Sequence, residues 1–229
     1  MRVLGVVPAR AGSKGVPGKN TRLLGGRPLL AYTADAALAA ARLDRVVLTT
    51  DDEAIAEVGS RSGLDVPFLR PPELAADDTP MIAVLQHAVE SLPEAYDAVC
   101  LLQPTTPFRP EGLIDRCIDL LDESGADAVV TMLPVPAEHN PHWVYLREPD
   151  GALRLSTGAR SPVARRQDLP PAFHRDGAVY VMRAEGIVAG DPYGTHLEAV
   201  VLDPAASVNI DDLDDWARAE ALLASTTAG

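Results

Sequence analysis

Short apolar runs alternate with helix-like stretches along most of this chain, and that alternation constrains the fold more than any other feature. Residues 3–7, 45–50, 66–69, 98–102 and 128–133 read as strands, and residues 29–41, 53–62, 79–91 and 111–123 as the helices between them. Strand–helix repeats at this spacing make βαβ units, whose parallel sheet is covered on both faces. The expected class is therefore α/β, three-layered around a mainly parallel sheet. Pro28 sits near the first turn of the first helix, and Gly63 closes the second. Thr79 reads as the cap of the third helix, with Pro80 as its first residue. Residues 178–182 and 197–202 read as later strands, and 213–223 as an amphipathic helix, after which the last few residues are expected to fray. Residues 134–175 lose the periodicity and are rich in Pro, Arg and His; they read as an insertion, a hairpin arm or a dimerisation element. The whole chain, 1–229, fits a single domain.

Charge narrows the partners. A net charge of -13 argues against a nucleic-acid binder, whose affinity would come from neutralising phosphates. No apolar stretch approaches the roughly 20 residues of a membrane span, and the N-terminus is too soon interrupted for a signal peptide, so a cytoplasmic protein is expected. Cys100 and Cys117 then read as buried free thiols. The distribution of charge is more telling than the sum. Residues 2–34 contain no acid, and Lys14 and Lys19 are the only lysines of the chain, every other basic residue being arginine. Two compact point charges five residues apart, in a stretch crowded with Gly and Pro, suit phosphate contacts.

That stretch is Pro8-Ala9-Arg10-Ala11-Gly12-Ser13-Lys14-Gly15-Val16-Pro17-Gly18-Lys19-Asn20, between the first strand and the first helix. Its glycines let the backbone approach a ligand and offer N–H groups, while Arg10, Lys14 and Lys19 supply charge for a polyphosphate. It is neither a Walker A loop nor a dinucleotide fingerprint. In open α/β sheets ligands sit beyond the carboxyl ends of the strands. Two other loops lie at such ends, around Thr49-Thr50-Asp51-Asp52 and from Gln103 to Arg109.

The glycine-rich loop resembles the N-terminal signature of the acylneuraminate cytidylyltransferase family, with Arg10, Ser13, Lys14, Gly15, Lys19 and Asn20 on its fixed positions. The resemblance continues through Thr49-Thr50-Asp51, Arg70-Pro71-Pro72-Glu73-Leu74-Ala75 with Asp77 following, and Leu101-Leu102-Gln103-Pro104-Thr105-Thr106-Pro107-Phe108-Arg109. It ends in Arg166-Gln167-Asp168-Leu169-Pro170 and Asp176-Gly177-Ala178-Val179-Tyr180. It implies a nucleotidyltransferase fold, a homodimer with its dimerisation insert at 134–175, and transfer of CMP from CTP to an acidic keto-sugar. It also implies that Ala9, Arg10, Ser13, Lys14, Lys19, Asn20, Arg70 and Asp77 bind the nucleotide. Gln103, Arg166, Gln167 and Tyr180 would bind the acceptor, and Arg10, Lys14, Lys19 and Asp211 would carry the catalysis.

The resemblance implies Mg²⁺ at a C-terminal D-I-D, where this chain reads Asn209-Ile210-Asp211. Residues 209 and 211 share one face of an extended segment. Asp211 is the expected main ligand and Asn209 an uncharged auxiliary; a helix-capping role for Asp211 is the competing reading. Asn209 also motivates the alternative of a nucleotide-binding regulatory protein without catalysis. Ketodeoxyoctonic acid or a phosphonate are alternative acceptors. A nucleotidyltransferase using another base or a sugar 1-phosphate is a further alternative, against which Arg70-Pro71 and Leu102-Gln103-Pro104 count. His139-Asn140-Pro141-His142 reads as an ordinary polar loop, and His87 as a packed helix residue. The segment 191–196 is where acceptor specificity is expected.

Overall fold

The computed structural model describes residues 1–227, so the fraying expected of the last few residues lies partly outside the described chain. In chain order the elements are β1 Val3–Pro8, β2 Leu23–Leu24, β3 Arg27–Pro28, α1 Leu29–Ala39, β4 Arg45–Thr49, α2 Glu53–Arg61, α3 Met81–Glu90 and β5 Ala98–Leu101. They continue with α4 Leu113–Ser124, β6 Ala128–Pro134, β7 Tyr145–Arg147, β8 Leu153–Leu155, β9 Phe173–Arg183, α5 Ala184–Ala189, β10 Leu197–Val201 and α6 Leu213–Thr227.

Among the described residues the main sheet has the order β10-β6-β9-β5-β1-β4. Every neighbour pair is parallel except those of β9, which runs antiparallel between β5 and β6. The expected mainly parallel α/β sheet is what the chain forms. The order reverses at β1: the chain goes first to β4 on one side and then to β5 on the other. The loops after β1 and β5 therefore flank a switch point, the place where open sheets leave a crevice.

Both faces of the sheet are buried. Val3 and Val7 face a layer containing Leu30 and Ala34 of α1 and Ile114, Cys117 and Ile118 of α4. Leu4 and Val6 face Leu85 and Ala88 of α3 and Ile187 of α5. Helix α1 has no side-chain cap, an omission worth about 0.5–2 kcal/mol. It buries Leu29, Leu30, Ala34 and Ala37, and roughly 1.5–3 kcal/mol for each large apolar side chain outweighs the missing cap. Cys100 and Cys117 are free and buried, as expected. Burial pushes the Cys117 thiol up to about 12 and raises Cys100 as well.

Four sequence expectations change. Residues 66–69 form no strand; the chain makes only an isolated parallel bridge, Val47 to Asp65. Pro67 explains it, because a residue without an N–H cannot sustain a ladder there. Thr79 does not cap α3: its hydroxyl donates to the Glu73 carbonyl (3.3 Å), and Pro80 is the residue before the first helical one. Helix α4 begins at Leu113 rather than 111, because Gly112 at φ 71° takes a left-handed conformation that ends the preceding turn. The region 134–175 overlaps the sheet at its end, since β9 already starts at Phe173, and it contains the hairpin β7–β8. Among the described residues, no helix is long and apolar enough to cross a membrane.

Candidate active site

The glycine-rich loop is held at the carboxyl end of β1 from two directions. Ala9 donates its N–H to the Thr49 carbonyl (3.0 Å), continuing the β1–β4 ladder past the strand. Further along, Val16 is fully buried with Ile210, Trp216 and Ala219, so the loop is pinned to the start of α6. Asn20, itself buried, closes the loop by donating its amide to the Arg10 carbonyl (3.0 Å). Gly15 lies so close to the C-terminal segment that an added Cβ would overlap the main-chain oxygen of Asp211.

These contacts bring together residues almost 200 positions apart. A cavity of about 320 Å³ is lined by Arg10, Ser13, Lys14 and Lys19 from the loop, with Gln103 and Asp211 across from them. Asn20, Arg70, Met81 and Thr105 also line it. Lys19 Nζ donates to the Ile210 carbonyl (2.6 Å) and stands 3.9 Å from Asp211. Burial holds the Lys19 ammonium below the usual lysine range, with Asp211 pulling the other way and Arg10 adding to the lowering.

Arg10 pairs with Asp77 (2.5 Å), and Lys14 pairs with the other oxygen of the same carboxylate. Hydrogen bonds from Lys14 and Arg10 hold the Asp77 carboxyl below the usual aspartate range. Asp77 thus meets the loop through its cations. Arg70 is buried, and its guanidinium donates to the Thr49 carbonyl (2.6 Å) and to the Thr49 hydroxyl (3.3 Å). Burial lowers its pKa, partly offset by Asp51.

The C-terminal pair is also joined. Asn209 donates its amide to Asp211 Oδ2 (2.7 Å), and only the amide nitrogen can face a carboxylate. The Ile210 N–H donates to the Thr105 carbonyl (2.8 Å), which ties this segment to the loop after β5. Asp211 does not cap α6: Asp212 does, accepting from the N–H groups of Asp214 and Asp215 (both 2.9 Å). Among the described residues no cluster of three His, Cys, Asp or Glu side chains could hold a metal alone.

Not every expected residue joins this cavity. Arg166 and Gln167 lie in a 3-10 turn of the insert, and Arg166 lines a separate cavity of about 440 Å³ with Asn140, Pro170 and Phe173. Tyr180 is on β9 and packs among Leu101, Val130 and Met182, where burial raises its phenol. Segment 191–196 is anchored at the amino end of β6, where Asp127 accepts from the N–H groups of Thr195 and His196. Tyr193 reaches away from that end to Arg175, which donates to its hydroxyl (2.8 Å). His87 packs edge-on against Phe68. Sequence reasoning quoted Thr106 only within a motif and gave it no role of its own. Its buried hydroxyl reaches the Asp176 carbonyl (3.4 Å) and Asn209 Oδ1 (3.5 Å), and nothing in its spacing marks it.

The profile of the family described as cytidylyltransferase matches residues 4–210 of this chain. The chain belongs to that family. The cytidylyltransferase is 34% identical to CMP-N,N'-diacetyllegionaminic acid synthase of Legionella pneumophila over 97% of either chain. It is 31% identical to the pseudaminic acid cytidylyltransferase of Campylobacter jejuni over 97% of itself and 96% of that protein. With N-acylneuraminate cytidylyltransferase of Escherichia coli it shares 30% identity over 94% of itself but only 50% of that longer chain. Its fold is similar to that of CMP:2-keto-3-deoxy-manno-octonic acid synthetase solved with CTP, at a TM-score of 0.74 and 17% identity, over 99% of this chain and 100% of the other. The cytidylyltransferase is accordingly a nucleotidyltransferase, and its cavity brings the glycine-rich loop, the loop after β5 and the Asp211 segment into one place.

Proposed function

We propose that this cytidylyltransferase transfers CMP from CTP to the anomeric hydroxyl of a nonulosonic acid and releases pyrophosphate. One observation carries the reading: Lys19, hydrogen-bonded to the Ile210 carbonyl beside Asp211, lines the same cavity as Arg10, Lys14 and Gln103. Phosphate cations, a carboxylate and a neutral amide donor at a sheet switch point suit a charged nucleotide meeting a polyhydroxylated acceptor. The relatives named for legionaminic, pseudaminic and neuraminic acids support the acceptor class.

In this reading the triphosphate lies along residues 9–20. Arg10 and Lys14 exchange Asp77 for phosphate oxygens, and Lys19 holds the phosphates from the Asp211 side of the cavity. Arg70 and Asn20 brace the nucleotide side of the loop. Gln103 positions the acceptor so that its hydroxyl stands in line with the α-phosphorus; Arg166, Gln167 and Tyr180, which do not line this cavity, have no part in that step. Holding reactants in line and neutralising charge supply most of such a rate enhancement.

The donor set fits Mg²⁺ in one specific form. Asp211 offers one exposed carboxylate, while Asn209 turns its amide nitrogen to that carboxylate and its oxygen toward Thr106, so Asp211 is the residue that would hold an ion carried mainly by the triphosphate. When bound, Mg²⁺ would neutralise charge on the triphosphate. The homodimer is supported by exposed apolar side chains on the insert: Tyr145, Leu146 and Leu153 on the hairpin, and Phe173 beside it.

The test is pyrophosphate release with CTP, Mg²⁺ and a panel of N,N'-diacetyllegionaminic, pseudaminic, N-acetylneuraminic and ketodeoxyoctonic acids. Release that requires a nonulosonic acid is the expected result. Release with ketodeoxyoctonic acid alone, or with no acceptor at all, rules the proposal out. Lys19→Ala is expected to lower turnover by about tenfold or more in a folded protein; unchanged activity sinks the phosphate-loop assignment.

A further inference from the structure

The loop that carries Gln103 ends in a side chain that reaches back underneath it. Arg109 Nη2 donates to the Gln103 carbonyl (2.8 Å), Nε donates to the Ala178 carbonyl of β9 (2.9 Å), and Nη1 donates to the Thr33 hydroxyl of α1 (2.9 Å). One planar guanidinium therefore ties the loop after β5 to a strand and to a helix. We propose that Arg109 is a positioning residue for the acceptor half of the site, fixing the distance between Gln103 and β9. The inference rests on the assignment of Gln103 to the acceptor made above.

The other side of the same junction shows how tight that distance is. Gly177 precedes Ala178 with φ at 92°. A Cβ there would stand 2.8 Å from the Thr106 hydroxyl and 3.2 Å from Gln103 Oε1. The strand thus presents a bare Cα to the Gln103 amide, and Arg109 holds the two main chains in that arrangement. A fork of N–H donors in one plane is needed to serve three acceptors at once. A lysine at this position reaches one of them.

Asp176 lies near the enclosed guanidinium and acts on it through space, without pairing to it directly. Its carboxylate is fixed by the Thr131 hydroxyl and by the Ala178 N–H (3.0 Å), and Oδ2 makes no hydrogen bond among the described residues. Burial lowers Arg109 to about 10, and the Cys100 and Asp176 side chains act against that lowering. The phosphate loop is held by other groups, Val16 in the α6 cluster and Lys19 on the Ile210 carbonyl, so the clamp serves Gln103 and leaves the CTP side alone.

The experiment compares Arg109→Lys with the unaltered protein, using CTP and N,N'-diacetyllegionaminic acid. Acceptor KM is expected to rise about tenfold or more, while the Kd for CTP, measured calorimetrically without acceptor, stays within about twofold. A folded Arg109→Lys variant with unchanged acceptor KM overturns the proposal, as does a parallel loss of CTP affinity. Should Arg109→Lys not fold, Thr33→Val removes one partner of the clamp and keeps the side-chain shape. Acceptor KM is then expected to rise several-fold, and no rise overturns the proposal. Gln103→Ala separates the two readings: an unaltered acceptor KM in that variant removes the acceptor assignment and this inference with it. A raised KM there with none in Arg109→Lys removes the clamp alone.

Discussion

Gly15 and Asp211 meet backbone to backbone, 196 positions apart, with no space for a β-carbon between them. An added Cβ would overlap the Asp211 carbonyl oxygen and stand 3.1 Å from its carbonyl carbon. The glycine-rich loop and the carboxylate segment therefore keep their register only while residue 15 is glycine.

Gly15→Ala should separate the two. Misplacing reacting groups by about an ångström costs on the order of a hundredfold in rate, so turnover is expected to fall by about that factor. The overlap lies at the rim of the α6 cluster, so Tm should fall only slightly. Steady-state kinetics beside a thermal scan check this; full activity would mean that the loop and Asp211 need not touch.

Asp77→Asn releases Arg10 and Lys14 from their ion pairs. In contrast to the nucleotide-binding role that the family resemblance implies for Asp77, its carboxylate occupies the loop cations, so CTP should then bind more tightly. The stability effect has the sign of a depressed carboxyl. The Asp77 contribution is fully present above the ordinary aspartate range and is lost as pH falls through the lowered value. The Tm gap between protein and variant should therefore be constant near neutrality and close only in strong acid.

Asn209→Asp exchanges an amide donor for a second carboxylate beside Asp211. In EDTA the two charges repel, and Tm should drop by a few degrees. Adding Mg²⁺ should restore Tm in the variant more than in the unaltered protein, and half-maximal velocity should need less Mg²⁺. Equal Mg²⁺ responses in both proteins would exclude this pair from cation binding.

Cys100 and Cys117 should be silent toward a thiol reagent at mildly alkaline pH in the folded protein, because burial suppresses the reactive thiolate at both. Both should react once the protein is denatured. Rapid labelling of the native protein would contradict their place in the core.

Much of this molecule was legible from local order. The apolar runs of β1, β4, β5 and β6 and the helices between them announce a parallel sheet, since both faces are covered and no polar alternation is needed. The loop from Pro8 to Asn20 declares itself through its glycines and its two lysines. Even the failure at 66–69 was written in Pro67, whose missing N–H outweighs the apolar neighbours. The rest depended on tertiary structure. That Lys19 would reach the Ile210 carbonyl, that Gly15 would abut Asp211, and that Arg109 would join Gln103 to Ala178 are facts about chain reversals. The physical reason is range. Periodicity and turn chemistry act between residues a few positions apart and appear in any short window. The crevice exists because the sheet order turns at β1, which brings distant segments together at the carboxyl ends of the strands.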